Sequence, residues 1–405
     1  MSSAVNMALG LPAVPSEVLL EIFSYLPRKD LYCLSLVSLQ FKDLAQQVLY
    51  RSIDFDFFTP PYPNTTALGP HNNNLHMFQQ LADTLSRNAR LRLCVGAINI
   101  QPCYISAPPS FKELNRLLEL VPSLQSLTLR PPPDDLDLFI FSLPLLEKLN
   151  LTFIGWVSGR AIPMEIIARH FWMPSLRSFS IADCRLPKMY ACFSPQRHRT
   201  ATITDLQFIT MVDDDSCIPW DAARPQATLA PHTFRQFLQV HASTLVQLRI
   251  AASAAAKFSR VSLYGSLKGY PNLRRLAIPE PFLVIVEDSA STLMDVLPPN
   301  LEDLQLQFPM LCMQEQDKNG ETRVNRLKQL AAAKTQQFPG LKRVVWWSQP
   351  AECWDDRQGL RYGPEFDMEY LAATFRNVGV QFERLTRASF DDTPFGDDID
   401  REYES

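Results

Sequence analysis

The chain has 405 residues, of which 46% are apolar and 20% are charged, and its formal net charge is −4. This balance is typical of a folded globular protein and excludes a disordered chain, which would carry fewer apolar residues. No run of Lys and Arg exceeds two residues. The sequence therefore predicts no binding of nucleic acid or of an anionic membrane surface, since both need clustered positive charge.

The targeting and cysteine patterns indicate a reducing compartment. The N-terminus lacks the basic start of a secretory signal, and apolar runs such as residues 282–286 are far shorter than the ~20 residues that cross a bilayer. The eight cysteines are scattered without any C-x-x-C pair, which disfavours a disulfide scaffold and a tetrathiolate zinc site. We expect a soluble, non-secreted protein of the cytoplasm or the nucleus.

The first fifty residues carry apolar side chains at helical spacing. In residues 14–26 these side chains recur every three or four positions, which predicts a helix that ends at Pro27. Two further apolar faces follow at the same spacing, so we predict three short helices in residues 11–50. A bundle this small buries little surface, and we expect it to lean on a partner or on the rest of the chain.

The same segment resembles an F-box. Residues 14–45 read V-P-S-E-V-L-L-E-I-F-S-Y-L-P-R-K-D-L-Y-C-L-S-L-V-S-L-Q-F-K-D-L-A. The family opens with Leu-Pro and a Glu, continues with an Ile-x-x-x-Leu step and an Asp-Leu pair, and ends with a Val followed by an aromatic residue. The matching positions are Pro15, Glu17, Ile22, Leu26, Asp30, Leu31, Val37 and Phe41. The sequence departs from the pattern at Val14, where Leu is usual, and it has Phe41 at the position where the family carries Trp or Phe.

The resemblance implies a docking function. F-boxes bind the Skp-family adaptor of cullin–RING ubiquitin ligases, while the rest of the chain selects the substrate. By position, the apolar contacts to the adaptor would be Val14, Pro15, Ile22, Leu26, Leu31, Val37 and Phe41. Several of these side chains could instead form the core of the bundle itself, and for Ile22 and Val37 the sequence leaves both interpretations open. Pro15 lies in the loop before the first helix, which favours contact with the adaptor.

Beyond a Pro- and Asn-rich stretch at residues 59–74, one short phrase recurs along the chain. It is a proline or polar residue followed by L-x-x-L-x-L, and such repetition is the signature of repeat architectures. Clear copies occupy residues 121–129, 143–151, 173–181, 242–250, 270–278, 298–306 and 338–346, and weaker copies begin at Val95 and Ile203. Most steps between copies are 22 to 30 residues, and the two longer steps, 203 to 245 and 301 to 341, leave room for inserted loops.

The phrase predicts parallel strands. Its final L-x-L alternates with period two, as a short strand with one buried face requires, and helical patterns lie between the copies. Such alternation resembles a leucine-rich repeat, which implies a solenoid with parallel strands on its concave face and helices on its convex face. The predicted α/β architecture is a three-helix F-box at residues 11–57, a linker at 58–80, an irregular leucine-rich-repeat domain at 81–390 and an acidic flexible tail at 391–405.

No catalytic or cofactor-binding motif accompanies these elements. The sequence lacks the signatures G-x-G-x-x-G, G-x-x-x-x-G-K-[ST], H-E-x-x-H and G-x-S-x-G. The acidic trio at 213–215 is better explained as a solvated loop than as a cation site, because adjacent side chains alternate in direction. We therefore predict a binding protein and not an enzyme, with no catalytic residue, no cofactor and no metal.

The open side of the strands is the candidate target-binding surface. In each L-x-L the leucines face the core, so the residue between them faces the open side. Those residues are Thr128, Asn150, Ser180, Gln207, Arg249, Ala277, Gln305 and Val345. They are mostly small or polar, which suits a protein surface better than a polyanion. Trp220 and Trp354, in two long loops, would add aromatic anchors beside Arg249, whereas Trp346 and Trp347 fit the core of the last copy.

These features together resemble the F-box/leucine-rich-repeat substrate receptors, in particular the divergent ones of fungi. The resemblance implies the substrate-recognition subunit of a cullin–RING ubiquitin ligase. Its partners would be the Skp-family adaptor, a cullin reached through that adaptor, and an unknown protein substrate. The alternative is a repeat scaffold that uses its F-box-like helices outside any ligase. Co-purification with the adaptor and a cullin distinguishes the two interpretations.

Overall fold

A computed structural model of the chain describes eleven stretches of it. These are residues 14–56, 71–101, 111–129, 143–152, 175–182, 202–210, 238–252, 266–283, 292–308, 316–348 and 368–386. They fall into two compact units. The first unit holds the described residues up to 129 together with 143–147, and the second holds those from 148 onward.

The described part of the first unit contains six helices and three strands. In chain order they are α1 (Ser16–Ser24), α2 (Arg28–Leu34), α3 (Leu39–Arg51), β1 (Ser52–Asp56), α4 (His71–Arg87), α5 (Ala89–Cys94), β2 (Ala97–Gln101), α6 (Phe111–Glu119) and β3 (Ser126–Leu129). The strands are parallel, and β2 lies between β1 and β3. The helices α1 to α3 confirm the prediction of a small helical bundle at this end of the chain.

Local sequence explains where the first helices begin. Pro15 and Pro27 stand directly before α1 and α2, where a fixed φ near −55° suits the entry to a helix. Ser38 caps α3, because its side-chain oxygen accepts a hydrogen bond from the Phe41 amide at 3.1 Å. The last residue of α3, Arg51, is followed at once by β1. The bundle is therefore joined to the sheet of the first unit without a linker.

Two element boundaries differ from the sequence-based expectation. β1 lies within the segment assigned to the helical domain, and its Ile53 pairs with Ile98 of β2. α4 begins at His71, inside the segment expected to be a linker, because apolar residues such as Phe78 provide a buried helical face. The ring of Phe78 packs against that of Phe55 at 5.1 Å between centroids. Residues 58–70 of the expected linker and the expected tail at 391–405 lie outside the described residues.

The described part of the second unit contains eight parallel strands. They are β4 (Lys148–Thr152), β5 (Ser178–Ala182), β6 (Asp205–Thr210), β7 (Gln247–Ala252), β8 (Arg275–Pro279), β9 (Asp303–Phe308), β10 (Arg343–Ser348) and β11 (Gln381–Thr386). Each strand pairs with the next one in chain order. Such sequential pairing is compatible with a repeat-built solenoid.

The strand register brings equivalent positions of the recurring phrase side by side. The first apolar residue of each strand is paired with that of its neighbour, in the order Leu149, Phe179, Leu206, Leu248, Leu276, Leu304, Val344 and Phe382. The first seven of these side chains are buried. The prediction that each copy supplies one parallel strand is confirmed for the copies in this unit, and β11 is an additional strand that the phrase did not predict.

The described residues of the second unit also include four helices, α7 (Glu280–Leu283), α8 (Leu293–Val296), α9 (Gln316–Gln337) and α10 (Met368–Asn377). The buried Leu327, Leu371 and Phe375 lie on the helical faces that their spacing predicts. α9 occupies much of the long step between the copies that begin at 298 and 338, where the spacing of Leu327 and Leu330 predicts a helix and the length left room for an inserted loop. Gly379, with a φ of +74°, then turns the chain from α10 into β11.

Candidate functional site

One face of α1 exposes a row of large apolar side chains. Val18, Ile22 and Tyr25 are spaced by four and three residues, which places them along one side of the helix, and Val14 is exposed just before it; we call these four residues the α1 stripe. Half of the Ile22 side chain is exposed. The opposite side of the helix carries Phe23, which is buried in the core of the bundle. α1 is therefore apolar on both sides, and only one side is covered.

A second exposed apolar row follows at the end of α2 and the start of α3. It consists of Tyr32, Leu36, Val37 and Leu39, and we call it the turn stripe. Val37 is 67% exposed and Leu39 is 81% exposed. Burial of apolar surface is the main favourable term in folding, so side chains this exposed contribute little to the stability of the bundle.

The expected adaptor-binding residues fall into three groups in the structure. Val14, Pro15, Ile22 and Val37 are exposed, so Ile22 and Val37 do not form the core of the bundle, and their contact with the adaptor stays a prediction. Leu26 and Phe41 are partly buried and pack against the core of the bundle. The Phe41 ring meets Phe23 edge to face at 5.6 Å between centroids.

Leu31 lies elsewhere than expected. The resemblance implies a contact with the adaptor at Leu31, but its side chain is 2% exposed and belongs to the same core cluster as Phe23 and Leu44. The reason is helical geometry. Leu31 points inward toward α3, whereas Tyr32, one residue along α2, points outward. In this structure Leu31 is a core residue of the bundle and is not part of its exposed surface.

The concentration of exposed apolar side chains sets this bundle apart. Twelve large apolar residues are exposed in the described part of the chain, and eight of them form the α1 and turn stripes. The other four are scattered, at Met77, Leu93, Leu145 and Tyr370. Single exposed apolar residues need no explanation, whereas two rows of them within one small bundle are the candidate binding surface among the described residues.

Charged side chains border these stripes and fasten the bundle to the sheet. Glu17 and Glu21 are exposed beside the α1 stripe. Arg28 donates to the Ser52 carbonyl oxygen at 3.1 Å and pairs with the Asp54 carboxylate at 2.9 Å. These two contacts join the start of α2 to β1.

The strand face of the second unit departs from the expected open surface. Between the two apolar residues of each strand, Asn150, Ser180 and Gln207 are partly exposed, as predicted. Arg249 is only 5% exposed, and Val345 is buried as well. Burial lowers the pKa of Arg249 to about 8, because removing a guanidinium from water disfavours its charged form. Arg249 therefore does not lie at an open surface, and Trp220 and Trp354 lie outside the described residues.

The structure adds a row of charged residues that sequence reasoning missed. They are the first residues of β8, β9 and β10, namely Arg275, Asp303 and Arg343, which are adjacent in the strand register. Arg343 pairs with the Glu383 carboxylate at 2.8 Å and with that of Asp303 at 3.8 Å. Burial raises the pKa of Asp303 against the opposing effect of Arg343. The signal was present in the sequence, since a charged residue directly precedes the final L-x-L of each of these copies.

The described residues show neither a membrane-spanning helix nor a metal-binding group. No helix of the described residues combines the length and the apolar character needed to cross a membrane. Within those residues no group of three or more His, Cys, Asp or Glu side chains is placed to hold a metal ion.

The comparisons with known proteins give one match, at the N-terminal bundle. No curated protein matches the chain. A family model described as F-box-like matches residues 11–56, so the segment that carries both apolar stripes is an F-box-like domain.

Proposed function

We propose that the chain is the substrate-recognition subunit of a cullin–RING ubiquitin ligase. Its F-box-like domain would bind a Skp-family adaptor, and its strand region would bind a protein target. One observation carries the proposal: the two exposed apolar stripes lie within residues 11–56, the segment that matches the F-box-like model. F-box domains generally bind such adaptors, and the exposed stripes supply the apolar surface that docking needs.

The energetics favour docking through both stripes. Burying a fully exposed side chain of the size of Leu or Ile contributes about 1.5–3 kcal/mol, so a partly exposed one contributes about 1 kcal/mol. One stripe of four side chains then contributes about 4 kcal/mol, which only reaches the lower end of the ~4–15 kcal/mol that association costs. Two stripes contribute about 8 kcal/mol. Docking through both stripes is therefore more favourable than docking through one.

For the strand region we propose a divergent leucine-rich-repeat array that binds a protein target. The recurring L-x-x-L-x-L phrase and the in-register parallel strands support this assignment. Asn150, Ser180 and Gln207 are partly exposed on adjacent strands and carry no charge. Such a lining can form hydrogen bonds with a polypeptide but offers no row of cations to a polyanion. The resemblance to fungal F-box/leucine-rich-repeat receptors is part of the same proposal.

The test of docking is the affinity of the full chain for a Skp-family adaptor, measured by isothermal titration calorimetry. Ile22→Glu in the α1 stripe and Val37→Glu in the turn stripe should each weaken binding at least about thirtyfold, since each places a charge at an apolar contact. Leu93→Glu is the matched control, because Leu93 is about as exposed as Val37 and more exposed than Ile22 but lies outside both stripes. We expect this variant to bind as tightly as the unmodified chain.

Two results would contradict the proposal. The first is an unmodified chain that shows no affinity for the adaptor. The second is an equal loss of affinity in all three variants, which would show that the stripes are not the docking surface. A chain that binds the adaptor but recruits no cullin in a reconstituted mixture would instead support the alternative of a scaffold outside the ligase.

A further inference from the structure

The charged side chains of the N-terminal bundle differ in whether the chain itself supplies their counter-charge. Arg28 pairs with Asp54 at 2.9 Å, and Asp43 pairs with Arg90 at 3.3 Å. Other charged side chains of the bundle are exposed and form no ion pair or hydrogen bond among the described residues. Those that lie beside the two apolar stripes are Glu17, Glu21, Lys29 and Lys42. Unpaired charges therefore border the surface that remains uncovered.

The unpaired charges beside the α1 stripe are both negative. Glu21 lies three residues after Val18 and four before Tyr25, so its carboxylate is next to both of these side chains. Glu17 precedes Glu21 by four residues and extends the same border along the helix. Two like charges at this spacing destabilise a helix slightly, and a partner that brings cations to this border would remove the repulsion.

The unpaired charges beside the turn stripe are both positive. Lys29 precedes Tyr32 by three residues in α2, which places the two side chains side by side. Lys42 follows Leu39 by three residues in α3, with the same result. The two stripes therefore carry borders of opposite sign.

Two carboxylates near the turn stripe do not change the sign of its border. Asp43 follows Leu39 by four residues, but its charge is already paired with that of Arg90. Asp30 is only two residues before Tyr32, and residues at that spacing do not face each other on a helix. The free charge beside the turn stripe is therefore positive.

We propose that the partner covering the two stripes is an apolar surface with two oppositely charged borders. It places Lys or Arg side chains opposite Glu17 and Glu21, and carboxylates opposite Lys29 and Lys42. Complementary charges around an apolar centre speed association and select one orientation, because a reversed partner would bring like charges together. The inference rests on the proposed function, since the partner is the Skp-family adaptor, and it names the chemistry of the adaptor surface that docks.

The test is the rate at which the full chain associates with a Skp-family adaptor, measured by surface plasmon resonance. One variant combines Glu17→Lys with Glu21→Lys, and the other combines Lys29→Glu with Lys42→Glu. Each should slow association about tenfold at about 0.05 M salt. At about 1 M salt the Debye length falls to about 3 Å, so each should slow association by less than about twofold.

Matched controls make the same change in net charge outside the bundle. One combines Glu119→Lys with Glu369→Lys, and the other combines Arg177→Glu with Lys268→Glu. All four side chains are exposed and form no ion pair among the described residues. An effect of net charge alone must have opposite signs in acidic and basic variants, whereas complementary borders slow association in both. We expect each bundle variant to slow association more than its control does.

Thermal unfolding shows whether each variant is folded, and substitution of the same residues by Gln carries the test if a charge reversal unfolds the bundle. The inference is overturned if only one bundle variant slows association, or if neither exceeds its matched control. If Ile22→Glu still weakens adaptor binding in that case, the proposed docking function stands and only its charged borders are refuted. An unmodified chain that does not bind the adaptor overturns both proposals.

Discussion

The two regions of the chain place apolar residues of the same types in different environments. Leu36, in the turn between α2 and α3, is largely exposed, whereas Leu304, in the middle of β9, is completely buried. The strand region places its apolar residues at alternate positions, so every second side chain enters the core. The N-terminal helices carry apolar residues on two sides and bury only one of them.

This difference separates stability from binding. Burial of an apolar side chain contributes about 1.5–3 kcal/mol to folding, and the strand region uses most of its large apolar residues in this way. The eight exposed side chains of the helices contribute little to folding, and their apolar surface remains for a partner to cover. Substitutions should therefore affect folding in one region and binding in the other, except at the few buried residues of the bundle.

The largest expected effect is on stability, and it appears when a substitution in the core of the bundle is compared with one on its exposed surface. Leu31→Asp places a charge in a core cluster and should cost about 4 kcal/mol, enough to unfold so small a bundle. Val37→Asp, at an exposed position, should change stability by about 0.5 kcal/mol or less. Both variants should lose adaptor affinity. Amide hydrogen exchange in residues 16–51 distinguishes them, because only Leu31→Asp should lose protection, and native protection in that variant would contradict the assignment of Leu31 to the core.

A second pair of substitutions compares a buried with an exposed ion pair in the strand region. Glu280 is buried, and its carboxylate contacts Arg323 at 2.8 Å and Arg326 at 3.0 Å, which holds α9 against the end of β8. Glu280→Gln should cost about 3 kcal/mol, because it leaves buried guanidinium groups without their counter-charge. Denaturant unfolding measures the loss, and exchange should rise first in α9.

Glu302→Gln is the control for Glu280→Gln. Its carboxylate also contacts two cations, Lys342 at 2.7 Å and Arg274 at 3.2 Å, but these side chains are exposed to solvent. We expect a loss of about 1 kcal/mol or less, since solvent screens exposed pairs. Equal losses in the two variants would show that burial does not set the strength of these contacts. Adaptor affinity should be unchanged in both.

The smallest effect is a pH dependence of opposite sign at two adjacent residues. Burial raises the pKa of Asp303, so its folded form holds a proton to higher pH than the unfolded chain does. The contribution of Asp303 to stability therefore falls as pH rises through the interval above the ordinary aspartate pKa, about 3.9. The hydrogen bond from Lys342 lowers the pKa of Glu302, so its contribution is lost as pH falls below the ordinary glutamate pKa, about 4.3.

Unfolding measured between about pH 3 and 6 tests these signs. The difference in unfolding free energy between the unmodified chain and Asp303→Asn should decrease as pH rises. The same difference for Glu302→Gln should increase as pH rises. Slopes of the same sign for the two variants would refute the burial of one carboxylate and the solvation of the other.

The local periods of the sequence were sufficient to predict the elements. The three helices follow from apolar spacing near 3.6, and the strands follow from the alternation in L-x-L, which fixed their register as well. β1 and β11 were missed because they lack the proline or polar residue that opens the other copies, although Ile53 and Phe55 alternate as in a strand. The spacing of the apolar residues locates a helix or a strand, and the proline or polar residue before it helps to identify where it begins.

Which apolar face is covered could not be predicted from the sequence, because burial depends on contacts between distant elements. Leu31 and Val37 are both apolar positions of the F-box pattern, and only the packing of α2 against α3 buries the first and exposes the second. Arg249 lies between Leu248 and Ile250, where alternation predicts exposure, yet it is buried. Trp347 was assigned to the core by its proximity to Trp346, whereas the register of β10 places it on the other face.

Amide hydrogen exchange of the full chain, with and without a saturating Skp-family adaptor, tests the central claim most directly. The account predicts slower exchange on adaptor binding in residues 14–39, which carry both stripes, and unchanged exchange in the strands β4 to β11. Protection confined to the strands, or a bound adaptor that leaves residues 14–39 unprotected, would contradict the assignment of the exposed apolar stripes as the docking surface.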